Sequence, residues 1–204
     1  GWRVVSFAST VEIYGGGTPK TSVPEYWSGD IPWYAVGDAP RRSDVYVIDT
    51  AKKITKVGVE NSATRILPAG TTIISARGTV GKLALTGVPM AMNQTCYGLQ
   101  GKIDNSSAYT FFSTLNLITT LQQRTHGSVF DTITRETLAG VEVVLPPSKI
   151  IERFEGTVAP VMKHILNNLW QSLTLAAIRD ALLPKLISGE LRVQDAERIA
   201  GRRV

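Results

Sequence analysis

The stretch 160–187, PVMKHILNNLWQSLTLAAIRDALLPKLI, decides the architecture of the chain because its apolar residues recur at helical spacing. The apolar positions are Met162, Ile165, Leu166, Leu169, Leu173, Ala176, Ala177, Leu182, Leu183 and Leu186. A single polar stripe contains Lys163, Asn167, Gln171 and Thr174. Proline fits a first helical turn but not a helix interior. We therefore predict a short helical piece near 149–158 and a long helix from 160 to 187, with Gly189 as its stop.

A helix this apolar must be buried on most of its sides. Twenty-eight residues at ~1.5 Å per residue reach about 42 Å, whereas a domain of roughly 145 residues has a radius of gyration near 15 Å. Packing on its own domain alone and packing on a second helix both remain open, and we expect at least part of it to meet another helix. The residues expected to form that contact are Met162, Ile165, Leu166, Leu169, Leu173, Ala176 and Leu183.

The preceding residues, 1–147, are rich in short strand patterns separated by turn formers, which predicts an α+β fold. The predicted strands are Arg3–Phe7, Val11–Tyr14, Val45–Ile48, Thr71–Ala76, Lys82–Leu85 and Val141–Leu145. One helix is predicted within 108–123, with Ser107 as its N-cap. We expect a β-rich globular domain over 1–147, a helical spacer or dimerisation region over 148–191 and a tail over 192–204.

Composition and motifs argue against several function classes. One cysteine, Cys96, excludes an internal disulfide and favours a reducing compartment, so we expect a cytoplasmic location. One cysteine and two distant histidines argue against a zinc site. The segment 78–82, GTVGK, lacks two positions that a phosphate-binding loop requires, namely its first glycine and the hydroxyl after the lysine. His126 and Ser128 lack a third partner for nucleophilic catalysis. We expect no catalysis by this chain itself.

Basic residues concentrate in one stretch. Residues 41–82 hold eight basic and three acidic side chains, a net charge of +5, whereas the rest of 1–147 carries −3. Such an asymmetry suits a surface that tracks phosphates, although a solvated face is the alternative for any single residue. The aromatic residues Tyr26, Trp27, Trp33 and Tyr34 lie in a Gly/Pro-rich segment predicted as a long loop, where packing is favoured over stacking on nucleic acid. We expect DNA contacts from Lys20, Arg41, Arg42, Arg77, Lys82, Arg124, His126 and Ser128.

A series of short motifs, in one order along about 1–193, resembles the specificity subunits of type I restriction-modification systems. The pieces are Gly1-Trp2, Gly16-Gly17-Thr18-Pro19-Lys20, Pro24-Glu25-Tyr26-Trp27, Asp30-Ile31-Pro32-Trp33, Ile54-Thr55, Gly58, Leu67-Pro68-Ala69-Gly70-Thr71, 75–82, Asn93-Gln94, Gly127-Ser128, Leu145-Pro146-Pro147 and 182–191. The segment Lys149-Ile150-Ile151-Glu152 departs from the family, which usually has a Glu-Gln pair there.

This resemblance implies a non-catalytic subunit with one target recognition domain and one spacer helix, which is half of the usual arrangement. It would read one half of a bipartite site in double-stranded DNA and dock modification and restriction subunits. S-adenosylmethionine, ATP and Mg²⁺ would be bound by those partners and not by this chain. A half-subunit would homodimerise through its long helix. Two alternatives stay open: a recognition domain detached from a fused methyltransferase–nuclease, and a helix-mediated interaction protein that binds no DNA.

Overall fold

The computed structural model describes residues 1–41, 44–104, 106–125 and 132–191, with the backbone alone over 122–125. The predicted tail over 192–204 lies outside these residues. The chain divides into two compact units at Pro160: Gly1–Pro160 and Val161–Val204.

Ten strands and five α-helices make up the described chain. The strands are β1 (Arg3–Ser6), β2 (Val11–Gly15), β3 (Trp27–Tyr34), β4 (Tyr46–Val47), β5 (Lys53–Ile54), β6 (Thr72–Ser75), β7 (Leu83–Thr86), β8 (Ala91–Met92), β9 (Cys96–Gly101) and β10 (Glu142–Leu145). The helices are α1 (Phe7–Thr10), α2 (Lys56–Glu60), α3 (Ser107–Thr125), α4 (Arg135–Ala139) and α5 (Ser148–Ile187). Single 3₁₀ turns occupy Pro24–Tyr26 and Val36–Asp38.

The strands form three sheets within the first unit. The largest has the order β2-β9-β6-β7-β4, in which only the β4–β7 pair is parallel. A second sheet has the order β5-β3-β8, and β1 pairs with β10 in an antiparallel ribbon. The α+β class predicted from the sequence is thereby confirmed.

The five-stranded sheet is buried on both faces, and its central strand β6 shows why. Ile73 packs in one apolar cluster with Tyr34 and Leu67, and Ile74 packs in another with Phe7 and Leu121. A strand buried on both sides is continuously apolar or uncharged and does not alternate. The run Thr71–Ala76 was predicted as a strand, and all of its residues are buried.

The predicted strand positions correspond to β1, β2, β4, β6, β7 and β10, and no strand end is shifted by more than one residue. The segment containing Trp27 and Trp33, predicted as a long loop, is instead the eight-residue strand β3. Gly29 and Pro32 weaken a strand pattern, which is the reason for the error. Both Trp27 and Ile31 pair with Ile54, so the strand carries a bulge that absorbs this irregularity.

Helix α3 confirms the predicted helix within 108–123, but its N-terminus differs from the prediction. Ser107 is its first residue, not its cap. The backbone N–H of Tyr109 donates to the Glu155 carboxylate at 2.6 Å. A side chain on α5 therefore satisfies one of the N–H groups that a helix start leaves free.

The predicted division at Pro160 is wrong, because α5 runs without interruption from Ser148 to Ile187. A proline removes one intrahelical hydrogen bond and strains one turn. Helix propagation is cooperative, so the turns on either side need no second nucleation step. Gly189 has a φ of 75°, and the stop predicted there is confirmed.

Among the described residues, no helix is both long enough and apolar enough to span a bilayer.

Candidate nucleic-acid interface

The turn that joins β6 to β7 is fixed by two glycines and by the hydrogen bonds of one buried hydroxyl. Gly78 and Gly81 adopt φ values of 75° and 85°, which favour glycine. The Ser75 hydroxyl accepts the Lys82 backbone N–H at 2.8 Å and donates to the Thr79 carbonyl. The glycine turn, residues 76–82, therefore presents its side chains from a fixed backbone.

Arg77 and Lys82 are both exposed on this glycine turn. Arg77 forms an isolated backbone bridge with Thr132, and the Ile133 N–H donates to the Ala76 carbonyl at 2.8 Å. The backbone at Thr132, which follows the predicted contact loop in sequence, thus lies against the glycine turn. His126 and Ser128 themselves lie outside the described residues.

The other predicted contacts lie in separate loops. Lys20 is exposed in the loop after Gly16 and Gly17. A Cβ at Gly16 would lie 1.9 Å from the Asn93 carbonyl oxygen, so this loop requires glycine. Arg41 is exposed in a turn before β4. Arg42 lies outside the described residues, and at Arg124 the backbone in α3 is described but the side chain is not.

The basic side chains among the predicted contacts are available to bind a polyanion. Lys20, Arg41, Arg77 and Lys82 form no ion pair with any acidic residue in the described part of the chain. By contrast, the Lys53 ammonium lies 3.1 Å from an Asp49 carboxylate oxygen, and Lys102 lies 3.9 Å from Glu12. The unpaired cations are therefore the ones available to neutralise phosphates.

Two arginines that are not among the predicted DNA contacts lie beside aromatic rings. Arg135 lies over the Tyr97 ring at 6.0 Å and donates to the Ile13 carbonyl at 2.8 Å. Arg65 lies over the Tyr14 ring at 5.4 Å. The partners are too far apart in sequence for local spacing to reveal them. The Arg135 contact also covers a carbonyl on β2, an edge strand of the five-stranded sheet.

The cysteine does not provide a reactive nucleophile at neutral pH. Burial raises the pKa of the Cys96 thiol to about 11, so the thiolate that would attack a substrate is scarce. Burial likewise raises the pKa of Tyr34 above its ordinary value. Both side chains belong to one apolar cluster on the five-stranded sheet, where they pack in the core.

The described part of the second unit exposes many large apolar side chains along α5. Of the residues predicted to contact a partner helix, Ile165, Leu173 and Leu183 are exposed, Leu166, Leu169 and Ala176 are half-buried, and Met162 is buried. A second exposed group, on the other side of the same helix at 100° per residue, contains Leu175, Ile178, Leu182 and Leu186. Exposed apolar side chains therefore lie on two sides of this helix within the described residues.

Residues 1–170 match the family model of the type I restriction modification DNA specificity domain. The MjaIX specificity subunit of Methanocaldococcus jannaschii is 31% identical over 147 residues, which are 71% of this chain and 34% of the relative. The HindI specificity subunit of Haemophilus influenzae is 25% identical over 194 residues, or 94% of this chain and 42% of the relative. The chain thus spans less than half the length of these relatives.

Solved structures give the same fold at low sequence identity. The type I restriction-modification S subunit of M. genitalium superposes with a TM-score of 0.62 at 15% identity, over 91% of this chain and 45% of that one. The HsdS subunit of Thermoanaerobacter tengcongensis superposes with a TM-score of 0.56 at 19% identity, over 94% and 46%. These similarities bear on the fold alone.

Proposed function

Because the chain belongs to the family of type I restriction modification DNA specificity domains, we propose that it selects the DNA sequence for such a system by reading one half of a bipartite site. The observation that carries the proposal is the glycine turn, which exposes both Arg77 and Lys82 without an acidic partner among the described residues. Phosphate contacts from such cations fix register on the duplex, while base edges read in the grooves specify the sequence.

In the proposed function this chain catalyses no reaction itself. The residues 1–147 would contact DNA, and 148–191 would act as the spacer. S-adenosylmethionine, ATP and Mg²⁺ would be bound by the modification and restriction subunits that dock on it, and the assembly would work in the cytoplasm. The raised pKa of the buried Cys96 thiol supports a non-catalytic chain.

The exposed apolar side chains of α5 support a helical partner. In the absence of another half-subunit, that partner would be the same helix of a second copy. A two-fold dimer would place two recognition units at a fixed separation, in the way that other dimeric DNA readers set their half-site spacing. The same helical region would help to dock the modification subunits.

DNA binding measured against salt tests this proposal. The full chain should bind duplex DNA, and the logarithm of its affinity should fall linearly with the logarithm of the salt concentration, since phosphate contacts release counterions. A chain that dimerises but shows no salt-dependent DNA binding would instead be an interaction protein, which the apolar helix alone would also allow. Sequence preference is then read by comparing methylated adenines in cells with and without the intact system.

A further inference from the structure

A cavity of about 480 Å³ opens beside Trp27, at the start of β3. It lies at the bulge where both Trp27 and Ile31 pair with Ile54. A Cβ at Gly29 would lie 2.4 Å from the Ile54 carbonyl oxygen, so glycine permits the close approach of the two strands. Bulges of this kind re-aim side chains and often lie next to functional sites.

The backbone at the edge of the cavity is strained. Ser28 has a φ of 61°, and it is the one non-glycine residue with positive φ in the described part of the chain. A serine in this region persists only where the surrounding structure imposes it, and such residues cluster at ligand sites.

Trp27 is held firmly enough to position a neighbour. Its indole N–H donates to the Lys20 carbonyl at 3.2 Å, and its ring packs edge-to-face with Trp33 at 5.2 Å. The Lys52 ammonium lies 5.7 Å from the centroid of the Trp27 ring. This cation–π contact holds the lysine over the ring without neutralising its charge.

The backbone of Lys52 is also fixed. Its carbonyl accepts the Trp33 N–H at 3.1 Å and the Thr50 hydroxyl at 2.6 Å. Both Lys52 and Lys53 line the cavity. Lys53 forms an ion pair with Asp49, whereas Lys52 forms no ion pair with any described carboxylate. Lys52 is therefore fully available to an anionic ligand, whereas the ligand would have to share Lys53 with the Asp49 carboxylate.

We propose that this cavity holds one phosphodiester of the DNA backbone together with its sugar. The inference rests on the proposed DNA-binding function and adds a specific contact to it. Lys52 and Lys53 donate charge-assisted hydrogen bonds to the phosphate oxygens. The sugar lies against the cavity wall, since about 480 Å³ is ample for a group larger than a phosphate alone. Trp27 acts as a positioning residue for Lys52.

The test measures the affinity of the full chain for a short DNA duplex between about 50 and 200 mM salt. Lys52→Ala should flatten the salt slope by about one unit and weaken binding roughly fivefold near physiological salt, while Lys52→Arg should keep both close to wild type. Lys149→Ala removes the same charge from a residue that does not line the cavity, and it should leave the slope unchanged. A wild-type slope in Lys52→Ala, with normal binding by the parent chain, overturns the inference and leaves the proposed function standing.

Three further variants probe the neighbours of Lys52. Asp49→Asn frees Lys53 and should tighten DNA binding, whereas a structural role for the ion pair would lower the melting temperature without tightening it. Trp27→Phe should retain the Lys52 contribution, and Trp27→Leu should lose it to the same extent as Lys52→Ala. Melting curves confirm that each variant is folded.

Free nucleotides carry the same phosphate group as the DNA backbone. A separate binding experiment distinguishes these two ligands. A deoxynucleoside monophosphate is added in place of DNA while Trp fluorescence is followed. Negligible binding at millimolar concentration is expected for a site built for the DNA backbone. Tight binding of the mononucleotide that depends on Lys52 would overturn the assignment to DNA. If the parent chain binds no DNA at all, the inference fails together with the proposed function.

Discussion

At the scale of single residues, the glycine turn explains why two cations can approach a duplex closely. Gly78 and Gly81 both lie in the left-handed region, where a side chain would add strain. The Ser75 hydroxyl ties the two ends of the turn through Lys82 and Thr79. Arg77 and Lys82 therefore project from a backbone that is already ordered, so binding costs little backbone conformational entropy.

Arg77→Ala and Lys82→Ala separate the roles that each residue could have. Loss of a phosphate contact should weaken binding about equally for all sequences and flatten the salt slope by roughly one unit. Loss of a base contact should cost about 1–3 kcal/mol and relax one position of the site. A structural arginine would instead lower the melting temperature. Unchanged affinity and slope in both variants would show that the glycine turn does not face DNA.

At the scale of secondary-structure elements, Glu155 links α5 to the start of α3. Its carboxylate accepts the Tyr109 N–H at 2.6 Å. Burial raises the pKa of Glu155 above its ordinary value of 4.5, and this effect outweighs the hydrogen bonds from Tyr109 and Ala108, which lower it. The folded protein therefore binds a proton at Glu155 more readily than the unfolded chain does.

This raised pKa predicts the direction of a pH effect on stability. The contribution of Glu155 to the free energy of unfolding is fullest below pH 4.5 and falls as the pH rises through the folded-state pKa. Glu155→Gln keeps an acceptor for the Tyr109 N–H and should remove this decline in urea unfolding measured across pH. Glu136→Gln is the control. The Glu136 pKa is lowered, chiefly by its own backbone N–H, so the stability that Glu136 contributes is present above pH 4.5 and is lost as the pH falls below it. Glu136→Gln should therefore remove a decline on the acid side and leave the decline above pH 4.5 in place.

Helix α5 carries apolar side chains on two sides, and they are expected to have separate partners. Apolar surface that stays exposed to water costs about 25 cal/mol of free energy per Å². The chain should therefore dimerise through the side of α5 that includes Leu169. Leu169→Glu should shift the dimer towards monomer or aggregate in sedimentation experiments. Ile178 lies on the opposite side of the helix, and Ile178→Glu should leave the dimer intact. A clean monomer of the parent chain at tens of micromolar would contradict the dimer.

At the scale of the whole molecule, the chain has two compact units divided at Pro160 and spans less than half the length of its relatives. A half-subunit that pairs with a second copy would recognise two identical half-sites. Closed two-fold symmetry in the protein requires two-fold symmetry in the DNA. Methylome sequencing of cells that carry only this half should therefore reveal an interrupted palindrome, and an asymmetric bipartite site would contradict homodimeric recognition.

The purified chain should have no methyltransferase, nuclease or ATPase activity of its own. The sequence holds no complete cofactor-binding or nucleophile motif, and burial keeps the Cys96 thiol protonated. Radiolabelled methyl transfer to DNA by the highly purified chain alone would refute this prediction. Activity that appears only after addition of modification subunits would agree with it.

Local sequence patterns were sufficient for much of the fold. Apolar spacing identified α3 and the long helix, and the continuous run Thr71–Ala76 identified the central strand. The glycine turn was recognisable because glycine has a direct conformational consequence at a turn. Each of these signals depends on neighbours within a few residues, where backbone geometry alone decides which side chains share a face.

Only the tertiary structure decided the contacts that build the sites. The Tyr109–Glu155 bond joins residues 46 apart, and the Arg135–Ile13 bond joins residues 122 apart. The cavity beside Trp27 exists because a bulged strand meets β5. The continuity of α5 through Pro160 likewise follows from the cooperativity of a whole helix, while local propensity at proline opposes it. Such features depend on packing across the chain, and residue spacing carries no information about which distant segments meet.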